Sequence, residues 1–350
     1  MQMTRRRALT TVAAAAVWIY AALVLAWWLG RWAWGDKYWL LAVLSSFPAW
    51  LFLPLPLILG LAILSRRRMV WAVASVPMFL WLALFGWRFL PPTRQAEVTG
   101  AELCVMAFNL LHTNEDVGSI VAAIREANPD LIALAELKPD IDAALAAQLG
   151  SVYPYRTLEI LSGARFGTGI YSRWPLEPLG SLQTGLGLRS ATADIDTPMA
   201  RVRFVAFHPR ATLVSGRSLS EIAGNVQEAF RGREAQVAAV CRYLDQWGDR
   251  PVILAGDFNL TEFSDAYRCL AQRLRDGYRE AGWGYGHTWP SGQSHQPPFS
   301  LAPRLPGLTR IDYVFYSRHW RAMDATVHNR PTGSDHRPVV ATLRWVASGE

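Results

Sequence analysis

Three long apolar segments dominate the first ninety residues of the chain. They cover about 8–30, 38–64 and 70–90 and carry almost no charge. About 20 apolar residues are enough to cross a bilayer, so the pattern predicts three transmembrane helices within residues 1–92. The second segment is too short for two spans, and three prolines in it predict a kink or a tilt: Pro48, Pro54 and Pro56.

The pattern changes at residue 101 to short apolar runs of β type that alternate with helical periodicity. Glu102–Phe108 predicts a strand, apolar positions 117, 120, 121 and 124 predict a helix, and 131–135 predicts a buried strand. Further strands are predicted near 155–160, 168–172, 191–195, 201–207, 251–255, 311–316 and 338–345, with helices within 139–149, 232–246 and 265–275. This interleaving indicates an α/β or α+β domain over 101–347. A linker at 93–100 precedes it, and the Gly-, Pro- and Ser-rich stretch 282–307 predicts a surface loop.

Charge is divided unequally between these two parts. The whole chain carries a formal charge of +7. Residues 1–92 contain nine basic residues and one acid, whereas residues 93–350 contain 26 basic and 27 acidic residues. The basic excess therefore belongs to the membrane segment. A domain at −1 with one lysine, Lys138, lacks the charge typical of nucleic-acid binding, so a nucleic-acid partner is possible but not favoured.

The basic residues also predict an orientation. Arg5–Arg7 precede the first segment and Arg66–Arg68 separate the second from the third, while the loop 31–37 has two basic residues and one acid. The positive-inside rule then places the N-terminus in the cytoplasm and the domain after Leu90 outside, in a bacterial plasma membrane. The alternative is a cleaved signal peptide, since residues 4–7 faintly resemble a twin-arginine start. The apolar run is too long for one and further spans follow.

Several polar side chains directly follow, lie within or precede the buried β runs, where strand ends present them to a cleft. They are Asn109, Glu136, His208, Asp257, Asn259, Asp312, Asp335 and His336. Such oxygen-rich groups suit Mg²⁺, Mn²⁺ or Ca²⁺ better than zinc, and a histidine–carboxylate pair can activate water. Each residue alone has an ordinary alternative, such as a turn residue or a side chain that caps its own backbone. The three cysteines are too few for a disulfide framework or a cysteine-rich zinc site.

The order of these residues resembles the endonuclease/exonuclease/phosphatase superfamily, which includes DNase I-like nucleases, inositol polyphosphate phosphatases and neutral sphingomyelinases. The similarity covers about residues 102–345. The matching motifs are FN at 108–109, Glu136 after a buried strand, GTGIYSRWPL at 167–176, FHP at 207–209, GDFN at 256–259, RIDYVF at 310–315 and SDHRPV at 334–339. The resemblance implies a DNase I-like four-layer sandwich of two β-sheets flanked by helices, with the site at one edge. Here that fold is preceded by an all-α transmembrane segment.

The same resemblance implies a metal site for Mg²⁺ or Mn²⁺. Glu136 is the expected principal ligand, and Asn109 and Asp335 are expected to complete the metal and phosphate shell. Some nucleases of the family carry an acid two residues after the first asparagine. Leu111 occupies that position here, which argues for a one-metal site and against the abasic-site nuclease branch.

The remaining residues are expected to perform the chemistry. Asp257 and Asn259 are expected to orient the attacking water and a phosphate oxygen. His336, held by Asp312, is expected to act as general base or to stabilise phosphate charge, two roles that the resemblance leaves open. His208 is expected to donate to a non-bridging oxygen or to protonate the leaving group.

The membrane segments favour a lipid-linked phosphorylated substrate. Membrane anchoring beside an external phosphatase-like site is similar to bacterial members of the superfamily linked to glycopeptide resistance, which suggests a phosphatase for undecaprenyl pyrophosphate. The alternatives are a sphingomyelinase or phospholipid phosphodiesterase, a tethered extracytoplasmic nuclease, and an inactive binding module. No obligate protein partner is indicated. The Trp-rich loop 282–290 either touches substrate or membrane or simply packs on the surface.

Overall fold

The computed structural model divides the chain into two compact units, Met1–Leu90 and Pro91–Glu350. It describes residues 2–90, 100–212, 217–292 and 307–346. The predicted linker at 93–100 therefore lies almost wholly outside the described residues, as does much of the predicted loop 282–307. The two units are described separately.

The first unit is helical. Its helices are α1 (Gln2–Trp34), α2 (Trp39–Ser46), α3 (Leu55–Ser65) and α4 (Arg68–Phe85), with short 3₁₀ helices at Pro48–Phe52 and Gly86–Phe89. Three stretches are long and apolar enough to cross a membrane: Ala8–Trp34, Pro48–Ser65 and Arg68–Phe89. The second apolar run does not form one helix over 38–64. It is interrupted at Phe47 and again at Leu53–Pro54 because proline has no backbone N–H to continue the helical hydrogen bonds.

Small residues let the long helices of this unit pack closely. Ala62 of α3 and Ala74 of α4 are fully buried in one cluster with Val17 of α1 and Ile58 of α3. In an apolar solvent there is little hydrophobic drive between helices, so close van der Waals packing through small side chains provides much of their association.

The second unit contains two six-stranded sheets. The first sheet has the order β11-β12-β1-β2-β4-β3 and the second β5-β6-β7-β8-β10-β9. The strands are β1 (Glu102–Asn109), β2 (Leu131–Leu137), β3 (Tyr155–Glu159), β4 (Gly167–Ser172), β5 (Leu176–Gly180), β6 (Arg189–Asp196), β7 (Arg201–His208), β8 (Val252–Asp257), β9 (Arg275–Asp276), β10 (Asp312–Tyr316), β11 (Trp320–Val327) and β12 (Val339–Trp345). The helices are α5 (Val117–Ala127), α6 (Pro139–Leu149), α7 (Leu219–Trp247), α8 (Asp265–Ala271) and α9 (Gly277–Ala281).

Successive side chains of the central strands pack into different layers of the fold. In β1, Val105 and Ala107 belong to the cluster between the two sheets, whereas Met106 and Phe108 belong to the cluster under α5 and α6. Alternate strand residues point to opposite faces, so each sheet is covered on both sides. A third cluster joins the outer face of β7 and β8 to α7 and α8. The result is the four-layer sandwich that was predicted.

Strand direction brings the polar strand ends together. The parallel pairs β1–β2 and β7–β8 end at the same side, with Asn109 beside Ala135 and Phe207 beside Gly256. β10 and β12 run antiparallel to these strands, so their first residues lie at the same side, and Asp312 pairs with Asp257. We use the term site edge for this side of both sheets.

Several elements differ from the sequence prediction. Helix α7 begins at Leu219, well before the predicted start at 232, with Ser218 as its N-cap; its hydroxyl accepts from the Glu221 backbone N–H. The S-x-x-E pattern at 218–221 is a helix-start signal that hydrophobic periodicity alone did not reveal. The edge strands β5 and β11 and helix α9 were not predicted. A bulge between Ala322 and Asp324 breaks the alternation in β11.

One cross-link joins α7 to α8. Cys241 and Cys269 form a disulfide, with their Cα atoms 6.5 Å apart. The spacing of the cysteines in the sequence did not indicate this pair, because the two helices are brought together only by packing on the second sheet.

Candidate active site

Glu136 is presented at the site edge by an irregularity in β2. The pairing of β2 with β4 shifts register between Ala135 and Leu137, and Glu136 has a φ of 56°. Bulges redirect the side chain that they contain, and a glutamate in the left-handed region is uncommon. The side chain is 17% exposed, which makes it the most accessible carboxylate of β1, β2, β7, β8 and β10 at this edge.

His112 holds the Glu136 carboxylate from the loop after β1. Its backbone N–H donates to Oε2 at 2.9 Å, and its Nδ1 lies 2.6 Å from the same oxygen. Burial opposes ionisation of Glu136, but the His112 contacts and the nearby histidines outweigh it and hold the pKa of Glu136 well below its usual range. The same hydrogen bond raises the pKa of His112.

Asn109 links the two sheets. Its amide Nδ2 donates to Asp257 Oδ2 at 2.9 Å and to Glu136 Oε1 at 3.3 Å. Its Oδ1 accepts from the Leu111 backbone N–H at 3.0 Å. In this orientation the amide nitrogen, and not the oxygen, faces the carboxylates, so a metal contact by Asn109 requires the amide to rotate by 180°.

Asp257 is the last residue of β8, and Asn259 lies in the turn that follows. Gly256 has a φ of 143°, and a Cβ on it would lie 2.2 Å from the Phe207 carbonyl oxygen, so only glycine fits. The Asn259 backbone N–H donates to Asp257 Oδ1 at 2.8 Å, and its amide donates to Oδ2 at 3.2 Å. Both oxygens of Asp257 are therefore fixed by amides. Burial, opposed by the imidazoles of His336 and His208, raises the pKa of Asp257.

His336 and Asp312 form a buried pair. The distance between His336 Nδ1 and Asp312 Oδ2 is 2.9 Å, and Asp312 is fully buried. Thr288 Oγ1 accepts from the backbone N–H of Asp312 at 3.3 Å, and Ser334 Oγ accepts from that of His336 at 3.0 Å. Burial alone lowers the pKa of His336, but three carboxylates, Asp312 first, raise it well above its usual range.

His208 has a contrasting environment. Its Nε2 lies 3.6 Å from Asp257 Oδ2 and 3.8 Å from Glu136 Oε1, both beyond hydrogen-bond length. Its Nδ1 is buried and has no hydrogen-bond partner in the described part of the chain. Desolvation lowers the pKa of His208 despite these two carboxylates, and the charge of Arg189 lowers it further. One imidazole is thus biased toward the charged form and the other toward the neutral form.

Asp335 lies beside His336. Trp289 Nε1 donates to its Oδ2 at 3.1 Å, and its Oδ1 is 4.0 Å from His336 Nε2. Among the described residues, Asp335 Oδ1 is buried without a hydrogen-bond partner. All eight residues singled out in the sequence therefore lie in one connected group at the site edge.

The donor set suits a hard divalent cation. It offers carboxylate and amide oxygens, and a buried carboxylate oxygen without a hydrogen-bond partner is costly unless a cation or donor meets it. At the same edge, the ligand atoms of Asp257, Asp312 and His336 lie within 4.8 Å of one another. There Asp312 Oδ2 is hydrogen-bonded to His336, while Asp312 Oδ1, like Asp335 Oδ1, is buried without a hydrogen-bond partner among the described residues. The set around Glu136 is more open to solvent, which favours it as the entry point for a metal.

Sequence reasoning did not identify the neighbours that hold these groups. His112, Thr288, Trp289 and Ser334 all contact a residue of the site. Ser334 also donates through Oγ to the Asn109 carbonyl at 2.7 Å. Ser334 lies inside a quoted motif, and Trp289 inside the noted Trp-rich loop, but nothing in their spacing pointed to these contacts.

The model for the endonuclease/exonuclease/phosphatase family matches residues 106–336, more than half of the chain. The chain therefore belongs to this family, as its motifs predicted, and it is a metal-dependent hydrolase of phosphoester bonds. No curated protein sequence matches the chain.

Solved structures share the fold of the second unit. An endonuclease/exonuclease/phosphatase from Bacteroides vulgatus aligns with a TM-score of 0.53 at 17% identity, covering 70% of this chain and 100% of that one. Truncated TDP2 from Caenorhabditis elegans has a TM-score of 0.52 at 19% identity, covering 69% and 98%. Sphingomyelinase C from Streptomyces griseocarneus has a TM-score of 0.50 at 18% identity, covering 69% and 99%.

Proposed function

We propose that the protein is a membrane-anchored phosphoesterase that hydrolyses a lipid-linked phosphate or diphosphate, of the undecaprenyl pyrophosphate type, at the outer surface of the bacterial plasma membrane. The observation that carries the proposal is the convergence of Glu136, Asp257 and two oppositely biased imidazoles at one edge, in a chain that also has three candidate membrane spans.

Glu136, Asp335 and Asn109 are proposed to hold a Mg²⁺ or Mn²⁺ ion. Glu136 is ionised and partly open to solvent, and Asp335 offers an oxygen without another partner in the described residues. When bound, the metal neutralises charge on the phosphoryl oxygens. Leu111 occupies the position at which some nucleases of the family carry a further acid, so the loop after β1 has one carboxylate fewer. This supports a single ion.

The two imidazoles are proposed to serve opposite sides of the reacting phosphorus. Asp257 and Asn259 orient the attacking water, and Asp312 holds His336 so that it receives the proton from that water or stabilises the developing charge. His208 donates to a phosphoryl oxygen or to the departing oxygen. Environments that push two titratable groups apart in pKa are the arrangement that such a division of roles requires.

An external position of the catalytic unit is supported by two independent features. Arg5–Arg7 and Arg66–Arg68 satisfy the positive-inside rule with an odd number of spans. Disulfides persist in oxidising compartments and are rare in the cytosol, so a Cys241–Cys269 disulfide is consistent with an external position. Together they support contact between the site and lipids of the outer leaflet.

The substrate is tested with the full-length protein in detergent, supplied with Mg²⁺ or Mn²⁺. The panel is undecaprenyl pyrophosphate, sphingomyelin, phosphatidylinositol and plasmid DNA, with Glu136→Ala as control. Phosphate release from the polyprenyl substrate alone, lost in the control, supports the proposal. Turnover of sphingomyelin or phosphatidylinositol points to a phospholipid phosphodiesterase. DNA nicking without lipid turnover overturns the lipid substrate and reduces the spans to a tether.

A further inference from the structure

Arg189 lies directly opposite His208 at the site edge. It is the first residue of β6, and the antiparallel register pairs it with His208, the last residue of β7. Residues directly opposite on antiparallel strands project from the same face. The Arg189 side chain therefore leaves the sheet on the side on which His208 faces Glu136 and Asp257.

Phe166 lies against both side chains. The Arg189 guanidinium carbon is 4.9 Å from the centre of the Phe166 ring, and the His208 ring centre is 6.5 Å from it. The His112 ring stacks on Phe166 at 4.7 Å with 18° between the planes. A guanidinium over an aromatic face is held in place by cation–π attraction while its N–H groups remain available to a ligand.

No carboxylate of the described residues pairs with the charge of Arg189. Within the described residues it has no ion pair, and its Nε is buried without a hydrogen-bond partner. Other arginines of this unit have carboxylate partners: Arg310 is paired with Asp276 at 2.7 Å, and Arg203 with Asp194. A buried donor without an acceptor is costly. The Arg189 side chain as a whole is only half-buried, so the remaining N–H groups of its guanidinium are the ones that can bind a substrate anion.

We propose that Arg189, supported by Phe166, binds a second phosphate of the substrate on the leaving-group side of His208, and so selects diphosphates over phosphodiesters whose leaving group is uncharged. The proposal rests on the proposed function and specifies its substrate class. Water oxygen bonds to the terminal phosphorus, and the bridging P–O bond breaks. The electron pair stays with the lipid monophosphate, whose charge Arg189 binds, and inorganic phosphate is the second product.

The test compares two substrates in the full-length protein at saturating Mg²⁺. One is a short-chain prenyl diphosphate and the other is bis(4-nitrophenyl) phosphate, which has no second phosphate. Arg189→Gln is expected to lower kcat/KM for the diphosphate by about 30- to 100-fold, the range of a charge-assisted hydrogen bond, and for the diester by less than about 3-fold. For Arg189→Lys, kcat/KM for the diphosphate is expected to lie between the values of wild type and Arg189→Gln, because lysine keeps the charge without the planar fork.

Arg165→Gln is the matched control. Arg165 is the exposed neighbour of Phe166, so its substitution removes one positive charge beside Phe166 without touching the proposed phosphate contact. It is expected to leave both substrates within about 2-fold of wild type. An equal loss on both substrates in Arg189→Gln, or no loss on either, overturns the proposal.

A binding measurement separates this proposal from the proposed function. Methylenediphosphonate and methylphosphonate are titrated calorimetrically into wild type and Arg189→Gln with excess Mg²⁺. Selective weakening of the diphosphonate, by about 10-fold or more, supports the role of Arg189 even if no lipid diphosphate is hydrolysed, in which case the proposed function alone fails. Equal weakening of both ligands, or unchanged binding of the diphosphonate, overturns the role of Arg189.

Discussion

The two sheets contribute to the site in different ways. The first sheet supplies Glu136, which is 17% exposed and contacts the 45% exposed His112. The second sheet supplies Asp257 and Asp312, which are essentially inaccessible. An accessible carboxylate with an exposed partner is suited to exchanging that partner for a ligand. A buried network whose carboxylates are held by hydrogen bonds is suited to holding geometry through the reaction.

The backbones reflect the same division. In the first sheet, a bulge turns a glutamate into the left-handed region. In the second sheet, Gly256 lets β8 approach β7 so closely that no side chain fits. The bulge directs the Glu136 side chain outward, and Gly256 brings β7 and β8 together so that their end residues meet. The predictions below test this contrast, from the largest expected free-energy effect to the smallest.

The largest effect is expected at the accessible carboxylate. Glu136→Gln keeps the shape but removes the charge proposed to hold the metal, so kcat/KM should fall by on the order of 10³-fold, about 4 kcal/mol. The decrease is measured with the substrate that the panel identifies, together with Mn²⁺ affinity by calorimetry. Glu115→Gln, at a side chain that is 84% exposed, is the control and should be indistinguishable from wild type. If Glu136→Gln retains metal affinity, the metal site must instead be assigned to the buried set of Asp257, Asp312 and His336.

The second prediction concerns the strand approach at Gly256. Gly256→Ala forces a Cβ to within 2.2 Å of the Phe207 carbonyl, so the strands must separate. A destabilisation of about 3 kcal/mol is expected from strain and overpacking, measured by urea unfolding of the full chain in detergent. Gly224→Ala, on an open face of α7, should be neutral or slightly stabilising. Equal stability of the two variants would mean that the close approach is not required.

The third prediction concerns the buried pair. Asp312→Asn leaves the shape of the site but removes the charge that orients and supports the His336 imidazole. We expect kcat to fall by about 10²-fold, near 2.7 kcal/mol, with little change in KM. Steady-state kinetics with the panel substrate measures both constants. A rise in KM at unchanged kcat would instead make the pair a binding element.

The same substitution gives a fourth, smaller effect on stability in chelator. The folded-state pKa of His336 is raised above its unfolded value. Its contribution is therefore fully present below about pH 6.5 and is lost as the pH rises through the raised pKa. Asp312→Asn should thus be more destabilising at pH 6 than at pH 9, by about 1–2 kcal/mol, as measured by urea unfolding. Asp324→Asn, an exposed site on β11, should show no such pH dependence; an equal penalty at both pH values would exclude a charged His336.

The sequence predicted those features that depend on strand ends. Asp257 and His336 were found because polar residues follow or precede apolar runs. The strand directions, parallel for β7–β8 and antiparallel for β1–β12, place these ends at one edge. The eight candidates form one group for this reason. Their local partners could not be predicted in the same way, because contacts such as His112 with Glu136 depend on a bulge and a loop conformation.

Other features were hidden because their sequence signal is ambiguous. Arg189 at a strand start has the pattern of an ordinary surface residue, and only the register with His208 and the contact with Phe166 distinguish it. The first two turns of α7 contain no buried residue, so hydrophobic periodicity did not mark them. The apolar run 38–64 satisfied the length of a span, but its prolines divide it into separate helices.

The smallest effect is expected at His112. Its ring contacts Glu136 but is 45% exposed, and its backbone N–H makes a separate hydrogen bond to the same carboxylate. His112→Ala keeps the backbone contact, so kcat/KM should fall by less than about 10-fold, under 1.4 kcal/mol, and Mn²⁺ affinity should stay within about 3-fold of wild type. His112→Asn, which restores a polar side chain, should recover part of the loss. A fall as large as that of Glu136→Gln would show that the accessible sheet depends on its partners as strictly as the buried one, and the contrast between the two would not hold.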